Sequence, residues 1–158
     1  GPVQISYARS IDPIIASEHA ITICAARKED KPVKEQTGIQ GRKFTVPYAL
    51  YQARGVVNPH LATQTGFGEG DLAMLWEALA KAFDFDQSAA RPAGSMAARS
   101  LIVFRHESAL GNAPAHKLFD LVKVKRVDDT KPPRAFSDYA VTIDKAGVPA
   151  GVDLIEMI

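Results

Sequence analysis

The chain has 158 residues, the size of one ordinary domain, and 46% of them are hydrophobic, which excludes wholesale disorder. Nineteen Lys and Arg stand against eighteen Asp and Glu, and a net charge of +1 excludes a uniformly basic protein. One cysteine, Cys24, excludes an internal disulfide, and no apolar run approaches the roughly 20 residues that a membrane helix requires.

The opening "GPVQISYARSIDP" has no basic segment followed by an apolar stretch, so no secretory signal is read there. With the single cysteine, this favours a cytoplasmic protein with no membrane partner. "VQISYA" alternates and predicts a short strand that stops at the turn pair Asp12-Pro13. "AITICAA" (20–26) predicts a second strand, with residues 17–19 leading in. Residues 27–41 are polar, carry Pro32, Gly38 and Gly41, and show no periodicity; they read as a long, mobile loop. A third strand is expected over 43–57, so that strand, loop and strand make an extended hairpin with a basic tip. Pro47 lies inside that third strand. A proline removes a ladder hydrogen bond, so the strand must run along an edge or leave the sheet there.

Residues 69–83 give the clearest helix. Leu72, Leu75, Trp76, Leu79 and Phe83 recur at spacings of three and four, and Glu69 and Asp71 suit the positive end of the helix dipole. Residues 87–98, rich in Ala, Gly and Ser, predict a loop, and "SLIVFRH" (100–106) a strand. "LGNAPAHKLF" is a turn-rich connection; "DLVKVKRV" then alternates apolar and basic residues. "DDTKPPRAFSD" is linker-like, "YAVTID" a strand, and "AGVPAG" a turn into "VDLIEMI". Strands outnumber helices and do not alternate evenly with them, which predicts an α+β fold with an antiparallel sheet.

Charge is uneven along this path. Residues 27–43 hold six basic and three acidic side chains, residues 115–134 the same, and residues 66–90 five acids against Lys81. Two basic segments and one acidic helix suit a protein with one side facing a polyanion. Catalytic patterns are weak. "GFGEG" (66–70) precedes a helix as a phosphate loop would, but Glu69 and Asp71 put negative charge where the anion would sit. Asp84 and Asp86 have no third metal ligand nearby, His106-Glu107 lacks a second histidine, and Cys24 has no neighbouring ligand. His19, His60, His106 and His116 are dispersed, and no nucleophile elbow is present. No metal or cofactor is expected, and no enzymatic activity.

Three stretches, "GPVQISYARSIDPI", "GRKFTVPYALYQARG" and "GNAPAHKLFDLVKV", resemble the backbone subunit of the type I-C CRISPR interference complex, Cascade. "FSDYAVTID" and the closing "GVDLIEMI" look like the C-terminal end of that family. The resemblance runs over essentially the whole chain but covers only the family's C-terminal portion; the N-terminal half, with its opening strand, is absent. Gly1-Pro2 matches the family at that point, so a fragment is expected rather than a tag remnant.

The resemblance implies a single domain over 1–158, the C-terminal part of a modified RNA-recognition-motif (ferredoxin-like) palm, with a protruding β-hairpin thumb over 20–57. It implies a non-catalytic subunit of the RAMP superfamily in an antiviral defence complex. Copies stack along CRISPR RNA beside other Cascade subunits, each thumb kinks the strand, and target DNA is met through the guide. On this basis RNA contacts are expected from Arg27 and Lys28 at the thumb tip and from Arg42 and Lys43 at its base. Arg9, Tyr48, His116 and Lys117 complete the set. Tyr48 and Tyr51 are three apart, so on a strand they face opposite sides and one of them is expected in the core. The alternative is a metal-dependent ribonuclease of the same superfamily, with Asp12, Asp84 or Asp86 as the acid. A sheet lacking its first strand exposes edges and core. Alone, this piece is expected to fold poorly, exchange elements with a neighbour or need the missing half.

Overall fold

A computed structural model describes the chain except for residues 23–28, 33–34, 36–37, 39 and 89. Cys24, Arg27, Lys28 and much of the expected thumb tip therefore lie outside the described residues. The strands are β1 (Val3–Ile5), β2 (Arg9–Ser10), β3 (Ser17–Thr22), β4 (Gln40–Thr45), β5 (Tyr51–Gln52), β6 (Gly55–Val57), β7 (Ile102–His106), β8 (Val122–Arg126), β9 (Tyr139–Ile143) and β10 (Val152–Glu156). Among the described residues the helices are α1 (Pro59–Thr65), α2 (Glu69–Ala80) and α3 (Ala115–Phe119), with a 3-10 turn at Phe136–Asp138. The architecture is α+β, built from small antiparallel sheets, and is consistent with a partial RNA-recognition-motif-like domain.

Residues 2–22 and 40–58 form one antiparallel arm in three segments. β1 pairs with β6, β2 with β5 and β3 with β4. The bonds Ser6 N–H to Arg54 O (2.7 Å), Ile11 N–H to Leu50 O (2.8 Å) and Asn58 N–H to Pro2 O (2.8 Å) carry the ribbon between and beyond its strands. Between Ile5↔Gly55 and Arg9↔Gln52, three residues face two, a β-bulge that leaves Tyr7 95% exposed. Between the Ile11–Leu50 bond and Ser17↔Thr45, residues 12–16 face residues 46–49, a second one-residue offset.

The expected single strand over 43–57 is thus three strands. Pro47 sits in the second break, where its missing N–H costs no ladder bond. β3 also begins at Ser17, three residues before the expected start, because its pairing with Thr45 closes the ladder there.

α1 was not foreseen. Asn58 caps it by accepting from His60 N–H (3.0 Å) and Leu61 N–H (3.1 Å), Pro59 opens it, and Gly66 ends it at φ 75°. α2 begins with Asp71 accepting from Gly68 N–H (2.9 Å) and stops at Ala80, before Phe83. Its apolar face is half-covered rather than buried: Leu72, Leu75, Trp76 and Leu79 are intermediate and Met74 is exposed.

β7 pairs with β10, and β8 with β9. The alternation in "VKVKR" resolves as read: Lys123 and Lys125 are exposed, while Val122, Val124 and Arg126 turn inward. The hydrophobic residues buried among those described are Leu118, Tyr139 and Val152. Accessible surface totals 11831 Å², about half as large again as the roughly 7,800 Å² of a compact monomer of this mass. No helix among the described residues is long and apolar enough to cross a membrane.

Candidate nucleic-acid interface

The expected contact residues fall into two groups. Arg42 and Lys43 lie on the distal ribbon, β3–β4. Strand periodicity puts them on opposite faces, although they are adjacent in sequence. Glu18, Ala20, Arg42 and Phe44 share one face; Ser17, His19, Lys43 and Thr45 share the other. Arg42 Nη1 meets Glu18 Oε1 at 3.2 Å with both side chains exposed, a pair that contributes little to stability and partly occupies the cation. On the far face, His19 Nε2 and Thr45 Oγ1 share a hydrogen bond at 3.0 Å, while Lys43 is exposed.

The second group lies nearer the root of the arm. Arg9 is exposed on β2 opposite Gln52. His116 and Lys117 are exposed on α3, and that helix meets the arm where the Arg54 guanidinium lies 5.2 Å from the Phe119 ring centre. Of the two tyrosines, Tyr48 stacks on Tyr139 (centroids 6.4 Å apart, planes at 29°), while Tyr51 is half-exposed on β5. Burial raises the Tyr48 hydroxyl pKa above its ordinary value; the Arg99 charge opposes this and Asp138 adds to it.

The root is fixed by a clasp of residues far apart in sequence. Tyr139, only 6% exposed, donates its hydroxyl to Asp12 Oδ2 at 2.5 Å. Asp12 Oδ1 also lies 3.5 Å from Arg126 Nη1. Arg126 in turn donates from Nη2 to the backbone carbonyls of Asp129 (2.6 Å), Lys131 (2.7 Å) and Asp128 (3.2 Å), which shapes the loop after β8. Burial, and then the bond to Asp12, push the Tyr139 hydroxyl pKa well above the ordinary tyrosine range. One of the basic residues of the 115–134 segment is thereby a structural strut and not a free cation.

Sequence reading passed over Arg54, Arg99 and Phe136. Arg99 falls between the loop read over 87–98 and the strand read from Ser100, and its guanidinium lies over the Phe136 ring at 4.5 Å. Neither partner has a local signal; only the fold brings them together. The acids weighed for catalysis are partly engaged: Asp12 in the clasp, and Asp86 with Arg91 Nε at 2.9 Å. Among the described residues no three His, Cys, Asp or Glu side chains gather as a metal site requires.

The model of one protein family, CRISPR-associated protein Cas7, matches residues 1–144. The chain belongs to the Cas7 family. It is therefore a subunit of the RAMP type, from a family of CRISPR effector backbone proteins associated with CRISPR RNA and with other effector subunits. No curated protein matches the chain. For a Cas7 subunit, an arm carrying cations on both faces beside a root carrying Arg9, His116 and Lys117 is an arrangement suited to the backbone of a single strand.

Proposed function

We propose that this Cas7 chain is a non-catalytic, cytoplasmic subunit of a type I-C interference complex. Copies of it line CRISPR RNA and hold the phosphate backbone, leaving the guide bases free to pair with target DNA. Protein contacts then read shape and charge, and base pairing reads sequence. The family match over residues 1–144 is the observation that supports this most directly.

The test is binding of labelled single-stranded RNA over a range of salt. Affinity should fall steeply with salt and change little with base composition. Salt-independent binding, or a demand for one base sequence, would refute the proposal. Incubation with RNA and magnesium or manganese separates the ribonuclease alternative: intact RNA is expected, and cleavage lost in Asp84→Ala or Asp86→Ala would favour that alternative.

A further inference from the structure

Among the described residues, two arginines lie over phenylalanine rings, Arg54 over Phe119 and Arg99 over Phe136. Such pairs occur about once per 70–80 residues, so their number carries nothing. The surroundings of the second pair do. Phe136 is half-buried in the 3-10 turn that leads into β9, and that turn is fixed by the Asp138 carboxylate accepting from Arg134 N–H (2.7 Å) and Ala135 N–H (2.9 Å). Arg99 is exposed and has no ion-pair partner among the described residues. The guanidinium thus rests over a held ring, in a residue that is otherwise exposed. Tyr139, three residues after Phe136, stacks on Tyr48 at the break between β4 and β5. That contact places the pair at the root of the arm. Arg134, two residues before Phe136, is a second exposed cation there.

A guanidinium resting over a ring has already lost much of its rotamer freedom, so a planar ligand that stacks on it orders little more. Arginine planes of this kind stack unpaired bases in single-stranded RNA. We propose that the guanidinium of Arg99, backed by Phe136, is a stacking ledge for one nucleobase of single-stranded RNA at the root of the arm. This rests on the RNA-binding function proposed above and adds to it a contact with a base, where the arm cations serve phosphates.

The test uses Arg99→Lys, which keeps the charge and removes the plane, and Phe136→Leu, which keeps an apolar side chain and removes the ring. Each is measured by fluorescence anisotropy against a short single-stranded RNA and an RNA of equal length stripped of its bases, at several salt concentrations. Both variants should bind intact RNA about tenfold more weakly than wild type, with unchanged salt slope, because no phosphate contact is lost. On the base-free RNA the penalty should vanish. Wild-type affinity for Arg99→Lys on intact RNA would overturn the ledge while leaving steep, salt-dependent binding, and hence the proposed function, in place. The same penalty on both RNAs would also overturn it, since the loss would not involve a base. A wild-type protein that fails to bind intact RNA would overturn both proposals together.

Discussion

Replacing Tyr139 with Phe isolates the hydroxyl at the centre of the clasp, because the ring that stacks on Tyr48 is kept. The lost bond is short, 2.5 Å, and runs from a buried phenol to a carboxylate. Hydrogen bonds to charged groups are worth about 1.5–3 kcal/mol. Arg126 still faces Asp12 at 3.5 Å, so the carboxylate keeps one partner and the lower end applies, about 1.5 kcal/mol. For a chain of this length that is a fall in Tm of about 3–6 °C, read by far-UV circular dichroism at pH 7. The pH series carries a second signature. Burial and the Asp12 bond raise the folded-state pKa of Tyr139 above its unfolded value. Its contribution is therefore whole below the ordinary tyrosine pKa of about 10 and is lost as pH rises through the folded value. The gap between wild type and Tyr139→Phe should be constant from pH 7 to 9 and narrow above about 10. Equal melting temperatures at pH 7, or a gap that persists unchanged into strong alkali, would refute the clasp as a stabilising element.

Glu18→Gln releases Arg42 from its exposed partner, so RNA affinity should rise a few-fold and the salt slope should steepen by about 0.7, measured by anisotropy; unchanged binding would mean that Arg42 does not face RNA. Gly151→Ala forces a residue with a Cβ into φ 76°, with that Cβ against the side-chain amide of Asn112, which is pinned by Ser108 N–H at 3.0 Å. A loss of at least about 1 kcal/mol should appear in urea denaturation. Asp138 has its pKa lowered by the amides of Arg134 and Ala135, so its contribution is present above the ordinary aspartate value and is lost as pH falls through the folded one. Asp138→Asn should therefore weaken the turn near neutrality and leave a shallower acid limb below about pH 4 in a pH-dependent melt.

Local periodicity exposed much of the fold. The α2 face, the inward and outward alternation of β8, and β7 and β9 all follow from spacing that a single segment carries by itself. The pairing of β3 with β4 was foreseeable for the same reason, and Pro47 marked where the returning strand would be interrupted. Where that strand divides was not legible, because register is a property of two strands and residues 40–58 are matched to residues 2–22 by bonds that neither segment announces. α1 did carry its signal, in Asn58-Pro59 and Gly66, but over only seven residues with no apolar stripe to draw attention. The candidate site divides in the same way. Cations at Arg9, Arg42, Lys43 and Lys117 could be named from sequence, whereas the pairing of Arg126 with Asp12 spans most of the chain and belongs to tertiary structure alone. Arg99 is the sharper case: what sets it apart is Phe136, and nothing near residue 99 points there.

The two offsets in the arm make its handling of insertions a matter of parity. Arg42 and Lys43 point to opposite sides of the β3–β4 ribbon, and which of them points to a given side is set by the count of residues back to the root. Adding one residue to each strand between the second break and the His19–Lys43 pair would turn the distal ribbon over and exchange the two cations, with every ladder bond still made. Adding two to each would lengthen the arm by about 7 Å and restore the original faces. Changes of arm length in this chain should therefore be tolerated in even steps and felt in odd ones. The unpaired stretches 12–16 and 46–49 are where an odd step could be absorbed without reversing anything beyond it.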